Sequence, residues 1–133
     1  MQIRLPKPLP WMVLVGTFLI ITSCGDSLDP FEPELTNAAD NFQLQATNVT
    51  STSVTRTYTW LNTGTRATIN HSTTTTAGQA QVTIRDASGA TVYDRALAAS
   101  LNESTTVGTT GAWTIQLRLT NYSGTLNFRV QRL

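Results

Sequence analysis

From Phe42 to the end of the chain, apolar and polar residues alternate with a period of two, and no stretch sustains the 3.6-residue apolar period of a helix. Successive side chains of a strand point to opposite faces, so such a pattern buries one face and leaves the other in water. Threonine, valine and aromatic residues dominate this region, and they suit a pleated, half-buried surface. The chain is therefore constrained to be all-β.

Ala112–Leu119 gives the clearest stripe. Trp113, Ile115, Leu117 and Leu119 share one face, with Thr114, Gln116 and Arg118 on the other. Asn121-Tyr-Ser-Gly124 follows and reads as a turn, after which Leu126, Phe128 and Val130 alternate with polar residues. The two runs predict a hairpin. A second hairpin is predicted from Ala80, Val82 and Ile84, the turn Asp86-Ala-Ser-Gly89, and a return strand from Ala90 to Arg95. Further stripes are Phe42, Leu44 and Ala46; Val54, Arg56, Tyr58 and Trp60; and Ala67, Ile69 and His71. Ser104–Val107 is a short candidate strand. About eight strands at this spacing predict an antiparallel β-sandwich, jelly-roll-like, over residues 42–133.

The amino-terminal segment differs. Arg4 and Lys7 precede an 11-residue apolar run, Trp11–Ile21. That is the positive region and short apolar core of a signal peptide, and it is too short to span a bilayer. Ile21-Thr22-Ser23-Cys24 then resembles the lipobox of bacterial lipoproteins. The resemblance implies cleavage between Ser23 and Cys24, diacylglycerol on the Cys24 sulfur and a membrane held through acyl chains. Residues 1–23 are thus expected to be a lipoprotein signal peptide. Residues 24–41 hold five acids, no base, and Pro30 and Pro33, and are expected to be the lipidated cysteine and an acidic tether. The carboxylate spacing there matches no calcium loop. Gly25 follows the cysteine and Asp26 stands one place further, which favours the outer membrane in an organism that has one.

After the signal segment the chain has no lysine, and seven arginines face eight acids. Nucleic-acid binding needs a clustered basic face, and none is written here. Cys24 is the only cysteine, so an intramolecular disulfide and a cysteine-based metal cluster are excluded. His71 is the only histidine and lies in phase with Ile69, as a core or edge residue would. No Gly-x-Ser-x-Gly elbow and no phosphate loop is present. The four Asn-x-Ser/Thr matches are what a threonine-rich chain yields by chance.

The run Gly111–Gly124 with Asn127-Phe-Arg-Val130 resembles the end of bacterial pre-peptidase C-terminal domains, where a Gly-x-aromatic strand leads to a Tyr-Ser-Gly turn. Val82–Gly89 and Tyr58–Gly64 are similar to that family's earlier hairpin and strand. The resemblance implies a compact jelly-roll-like sandwich accessory to peptidases, and no peptidase is attached here. The expected function is a lipid-anchored, non-enzymatic interaction or structural module of the cell envelope that uses no cofactor. Its partners would be envelope proteins or glycans. A carbohydrate-binding module is the first alternative, with Tyr93 and Tyr122 as surface rings and Trp60 and Trp113 as in-phase ones. A small hydrolase built on His71 is the second.

Overall fold

A computed structural model describes residues 31–133. The signal segment, the Ser23–Cys24 junction and the first part of the expected tether lie outside the described residues. Among these residues the chain forms β1 (Glu34–Ala38), β2 (Asn41–Asn62), β3 (Ala67–His71), β4 (Thr74–Arg85), β5 (Thr91–Ala96), β6 (Leu101–Ser104) and β7 (Gly111–Arg132). Every strand pairing is antiparallel and all seven strands belong to one hydrogen-bonded sheet.

β7 is the central ribbon. β2 pairs with it along its whole length, from Asn41↔Gln131 to Asn62↔Gly111. On its other side β3 pairs with its second half and β4 with its first. β1 extends the sheet beyond β2, β6 beyond β3, and β5 beyond β4.

The sheet is folded across its middle. Phe42 and Tyr58 lie on the same strand, 16 residues apart by number, and a straight strand would separate them by about 50 Å. Their ring centroids are 5.4 Å apart. β2 therefore bends back over itself, and its partners bend with it. Register shifts mark the bend: three along β2–β7 between Ala46 and Val54, and two along β4–β7 between Thr75 and Gln79. Such bulges insert an unpaired residue, bend the strand and increase its twist.

The apolar stripes meet between the two halves. Phe42, Leu44, Phe128, Val130 and Ile69 come from one half, and Trp60, Trp113, Ile115, Leu117, Val82 and Ile84 from the other; all are buried. Trp60 and Trp113 are cross-strand partners packed edge to face at 5.9 Å.

Four local expectations are corrected. Asn121–Gly124 is not a hairpin turn, and the chain runs on as one strand to Arg132. Positive φ at Asn121 (45°) and Gly124 (144°) serves the bend instead. The Tyr-Ser-Gly turn that carried part of the family resemblance is thus absent. The stripes beginning at Phe42 and at Val54 are likewise one strand, and with these two mergers and the added β1, seven strands stand where about eight were expected. The short strand expected at Ser104–Val107 lies earlier, at Leu101–Ser104. Finally, the tether does not extend to residue 41. Glu34–Ala38 forms β1, and Phe31 is buried in the core at 2% exposure. The Asp86–Gly89 hairpin forms as expected, closed by Asp86 N–H donating to the Ala90 carbonyl at 2.9 Å.

Candidate interaction surfaces

The four aromatic residues of the carbohydrate-binding alternative are all interior, as the phase of Trp60 and Trp113 implies, and the surface placement expected of Tyr93 and Tyr122 is corrected. Trp60, Trp113 and Tyr122 have no exposed surface, and Tyr93 retains 7%. Their polar atoms are also engaged. Trp60 Nε1 donates to the Ala38 carbonyl at 3.1 Å and Trp113 Nε1 to that of Thr109 at 2.7 Å. Tyr122 Oη lies within hydrogen-bond distance of the Thr74 and Thr125 carbonyls, across the bend. Tyr93 Oη donates to Glu103 Oε2 at 2.9 Å, and Arg95 Nε stands 3.4 Å from the same oxygen. Burial first, and the Glu103 carboxylate second, push the Tyr93 phenol up. These rings bind the fold together and offer no face on which a sugar could stack.

Tyr93 was expected at the surface because Val92 faces inward. Both are buried, since Ile84 pairs with Tyr93 while Arg85 pairs with Thr91. Val92 is the extra residue of a bulge, and alternation fails at that point.

His71 ends β3 at 1% exposure, and neither ring nitrogen has a hydrogen-bond partner. Burial lowers its pKa below the usual imidazole value, partly offset by the Glu103 charge. No serine hydroxyl or carboxylate is bonded to the ring, so a nucleophile–base pair does not form there. Among the described residues no three His, Cys, Asp or Glu side chains come together as metal ligands would.

Polar side chains do two jobs at the end of the molecule where the long strands start and stop, called here the open end. Asp86, 5% exposed, accepts from Ser88 N, Ser88 Oγ, Ala90 N and Thr109 N at 2.7–3.0 Å. The Ser88 hydroxyl, the Thr109 amide and the other amides hold its carboxyl down at about 2. One carboxylate so fastens the β4–β5 turn to the loop before β7. Asp40, between β1 and β2, likewise fastens its turn to the loop that follows β2. It accepts from Thr63 N at 2.8 Å and Thr63 Oγ1 at 2.7 Å, with Arg132 Nε 3.6 Å away. The Asp-x-Ser-Gly spacing signals the first of these; Asp40 has no such local signature.

The outward faces of the two sheet halves are polar. One carries the cross-strand row Thr36, Gln43, Arg129, Asn70 and Asn102, in which Arg129 Nη2 donates to Gln43 Oε1 at 3.0 Å. The other carries Thr57, Gln116, Thr83 and Asp94, in which Thr83 Oγ1 donates to Asp94 Oδ1 at 3.2 Å. Both are hydrogen-bonding surfaces with few charges.

At the bend, opposite the open end, lies a third surface. We call it the crest. It is built from residues 46–53 of β2, 72–78 at the β3–β4 break and 120–125 of β7, and includes a shallow hollow lined by Asn48, Thr50, Thr74, Thr76 and Ser123. Sequence reading missed it, because its parts are distant in the chain and each reads separately as a threonine-rich stretch or a turn.

No protein-family model matches this chain. No curated protein matches it either.

Proposed function

We propose that this chain is a lipid-anchored envelope protein whose β domain is a non-enzymatic interaction or structural module held close to the membrane. The observation that carries the reading is the position of Phe31. Seven residues after the lipobox cysteine, its side chain is already buried in the domain core. The leash between acyl chains and folded domain is therefore short. Two or more acyl chains anchor stably, at about 0.8 kcal/mol per buried CH₂. The domain then presents polar outer faces and loops pinned by carboxylates, all suited to hydrogen-bonded contact with a neighbouring macromolecule.

The test is fractionation. Cys24→Ala is expected to leave the membrane fraction, and a mutant that still pellets with carbonate-washed membranes refutes the anchor. Pull-down from crosslinked envelopes then addresses the partner.

A carbohydrate ligand is the second reading, and what favours it is now the carboxamide row around Gln43, Asn70 and Asn102 rather than any aromatic ring. A glycan array run beside the pull-down separates the two: sugar binding without a protein partner would reverse their order.

A further inference from the structure

We infer that the crest is the membrane-facing end of the domain, lying against the headgroup layer that holds the anchor. This rests on the lipid-anchor reading above and adds an orientation to it.

The chain enters the fold at the crest. Glu34 pairs with Gln45, and Glu32 lines a small cleft with Ala46 and Thr47, where β2 begins to bend. Phe31 precedes both and is locked in the core. Seven peptide steps separate it from Cys24, a reach of about 25 Å at full extension. The limb of β2 from Val54 to Asn62 is itself about 26 Å long. A limb of that length uses up the whole reach of those seven steps, so the open end could meet the bilayer only at their limit, whereas the crest needs little of that reach.

The chemistry of the crest fits that neighbour. Residues 46–53, 72–78 and 120–125 contain no Asp, Glu, Lys, Arg or His. Thr47, Asn48, Thr50, Thr74 and Thr76 are exposed there. Hydroxyls and carboxamides donate to the phosphate and ester oxygens of headgroups, and no charge must be stripped of water to do so. The crest exposes no large apolar side chain, so it rests on the bilayer and does not insert. Glu32 and Glu34 flank it and would be repelled by anionic lipid, so proximity comes from the leash and not from charge attraction. With the crest occupied, the open end and both outer faces remain free for a partner.

The experiment uses the full chain purified from membranes, in which acylated Cys24 leaves no free thiol. A single new cysteine, Thr47→Cys on the crest or Val107→Cys on an open-end loop, carries a fluorophore. Each protein is added to vesicles of phosphatidylethanolamine and phosphatidylglycerol bearing a headgroup quencher. The expected result is several-fold stronger quenching at residue 47 than at residue 107, not weakened by salt, because no charge attraction is involved and salt only screens the repulsion at Glu32 and Glu34. Equal quenching, or stronger quenching at 107, overturns the orientation while the anchor stands. An unacylated Cys24 in the mass spectrum, with protein that does not float with the vesicles, overturns anchor and orientation together.

Discussion

The crest and the open end solve the same problem, reversing the direction of the chain, by different physics. At the crest the backbone itself is bent. Asn48, Ser51 and Asn121 have φ between 43° and 55°, and Gly78 and Gly124 are also positive. All five stand where β2, β4 and β7 cross the fold line. At the open end the turns are fastened by carboxylates, Asp40 and Asp86, that accept backbone amides from other segments. The first end is uncharged and depends on which residues tolerate the left-handed region; the second also has positive φ, at Asp40, Gly89 and Gly111, but adds a dependence on ionisation. The difference predicts that the two ends fail under different perturbations.

The largest effect is expected at the crest glycines. A Cβ on Gly124 would stand 2.0 Å from the Thr74 carbonyl oxygen, and one on Gly78 would stand 2.1 Å from that of Asn121. Both obstacles are backbone and cannot rotate away. Gly89, in the open-end hairpin, is also at positive φ, yet a Cβ there meets nothing within 4 Å. Gly124→Ala should therefore cost roughly 3 kcal/mol or more, combining strain with a clash, while Gly89→Ala should cost about 1 kcal/mol from φ alone. Urea unfolding of the pair measures the contrast. Equal losses would break the claim that the crest is bound by its backbone.

The same residues show how far the sequence could be read. The stripes on β2, β3, β4 and β7 gave nearly the whole core, because alternation is local and each strand buries one face. The bend was not legible. Trp113–Leu119 face inward at odd positions and Leu126–Val130 at even ones, and that change of phase fits a hairpin or a bulge equally well. Asn and Gly serve both, since each needs positive φ. Only the pairing of β7 with β2 on both sides of Asn121 decides between them. β1 was illegible for a related reason: all five of its residues are exposed, so it carries no alternation at all. Tyr93 and Tyr122 look like surface rings in the sequence because no local pattern announces the bulges that bury them, and the alternative of an aromatic sugar platform falls with them.

Acid should separate the two ends next. Asp86 is held at about 2, and Asp40 is also lowered by its bonds to Thr63 and by Arg132. Both carboxyls titrate near 3.8 when unpaired. The folded values lie below the unfolded one, so their contribution is complete above 3.8 and is lost as pH falls through that window toward the folded values. Amides of Thr63, Ser88, Ala90 and Thr109 should lose protection in NMR hydrogen exchange over this range, ahead of those at the crest. Asp86→Asn should flatten the response, since a carboxamide presents one acceptor oxygen where the carboxylate uses two. Simultaneous loss of protection at both ends would show that the carboxylates hold the whole sheet and not its open end alone.

The smallest effect expected belongs to His71, the buried imidazole that precedes the crest segment at Ser72. It is buried with two unpartnered nitrogens, and burial keeps its folded pKa below 6.5. Above 6.5 the ring is neutral whether folded or not, so it adds no pH dependence. As pH falls below 6.5 the unfolded chain takes the proton first, and stability declines until the folded value is passed. That decline sets in below 6.5, before the window of Asp40 and Asp86 is reached, so the crest side and the open end differ in where their pH dependence begins. His71→Leu replaces an unsatisfied polar ring with an apolar side chain. Stability above neutral pH should change by no more than about 1 kcal/mol, while the mild-acid slope shrinks. Guanidinium midpoints followed against pH for both proteins test this directly. If the slope survives the substitution, the mild-acid response comes from another group, and the crest has no titratable element of its own.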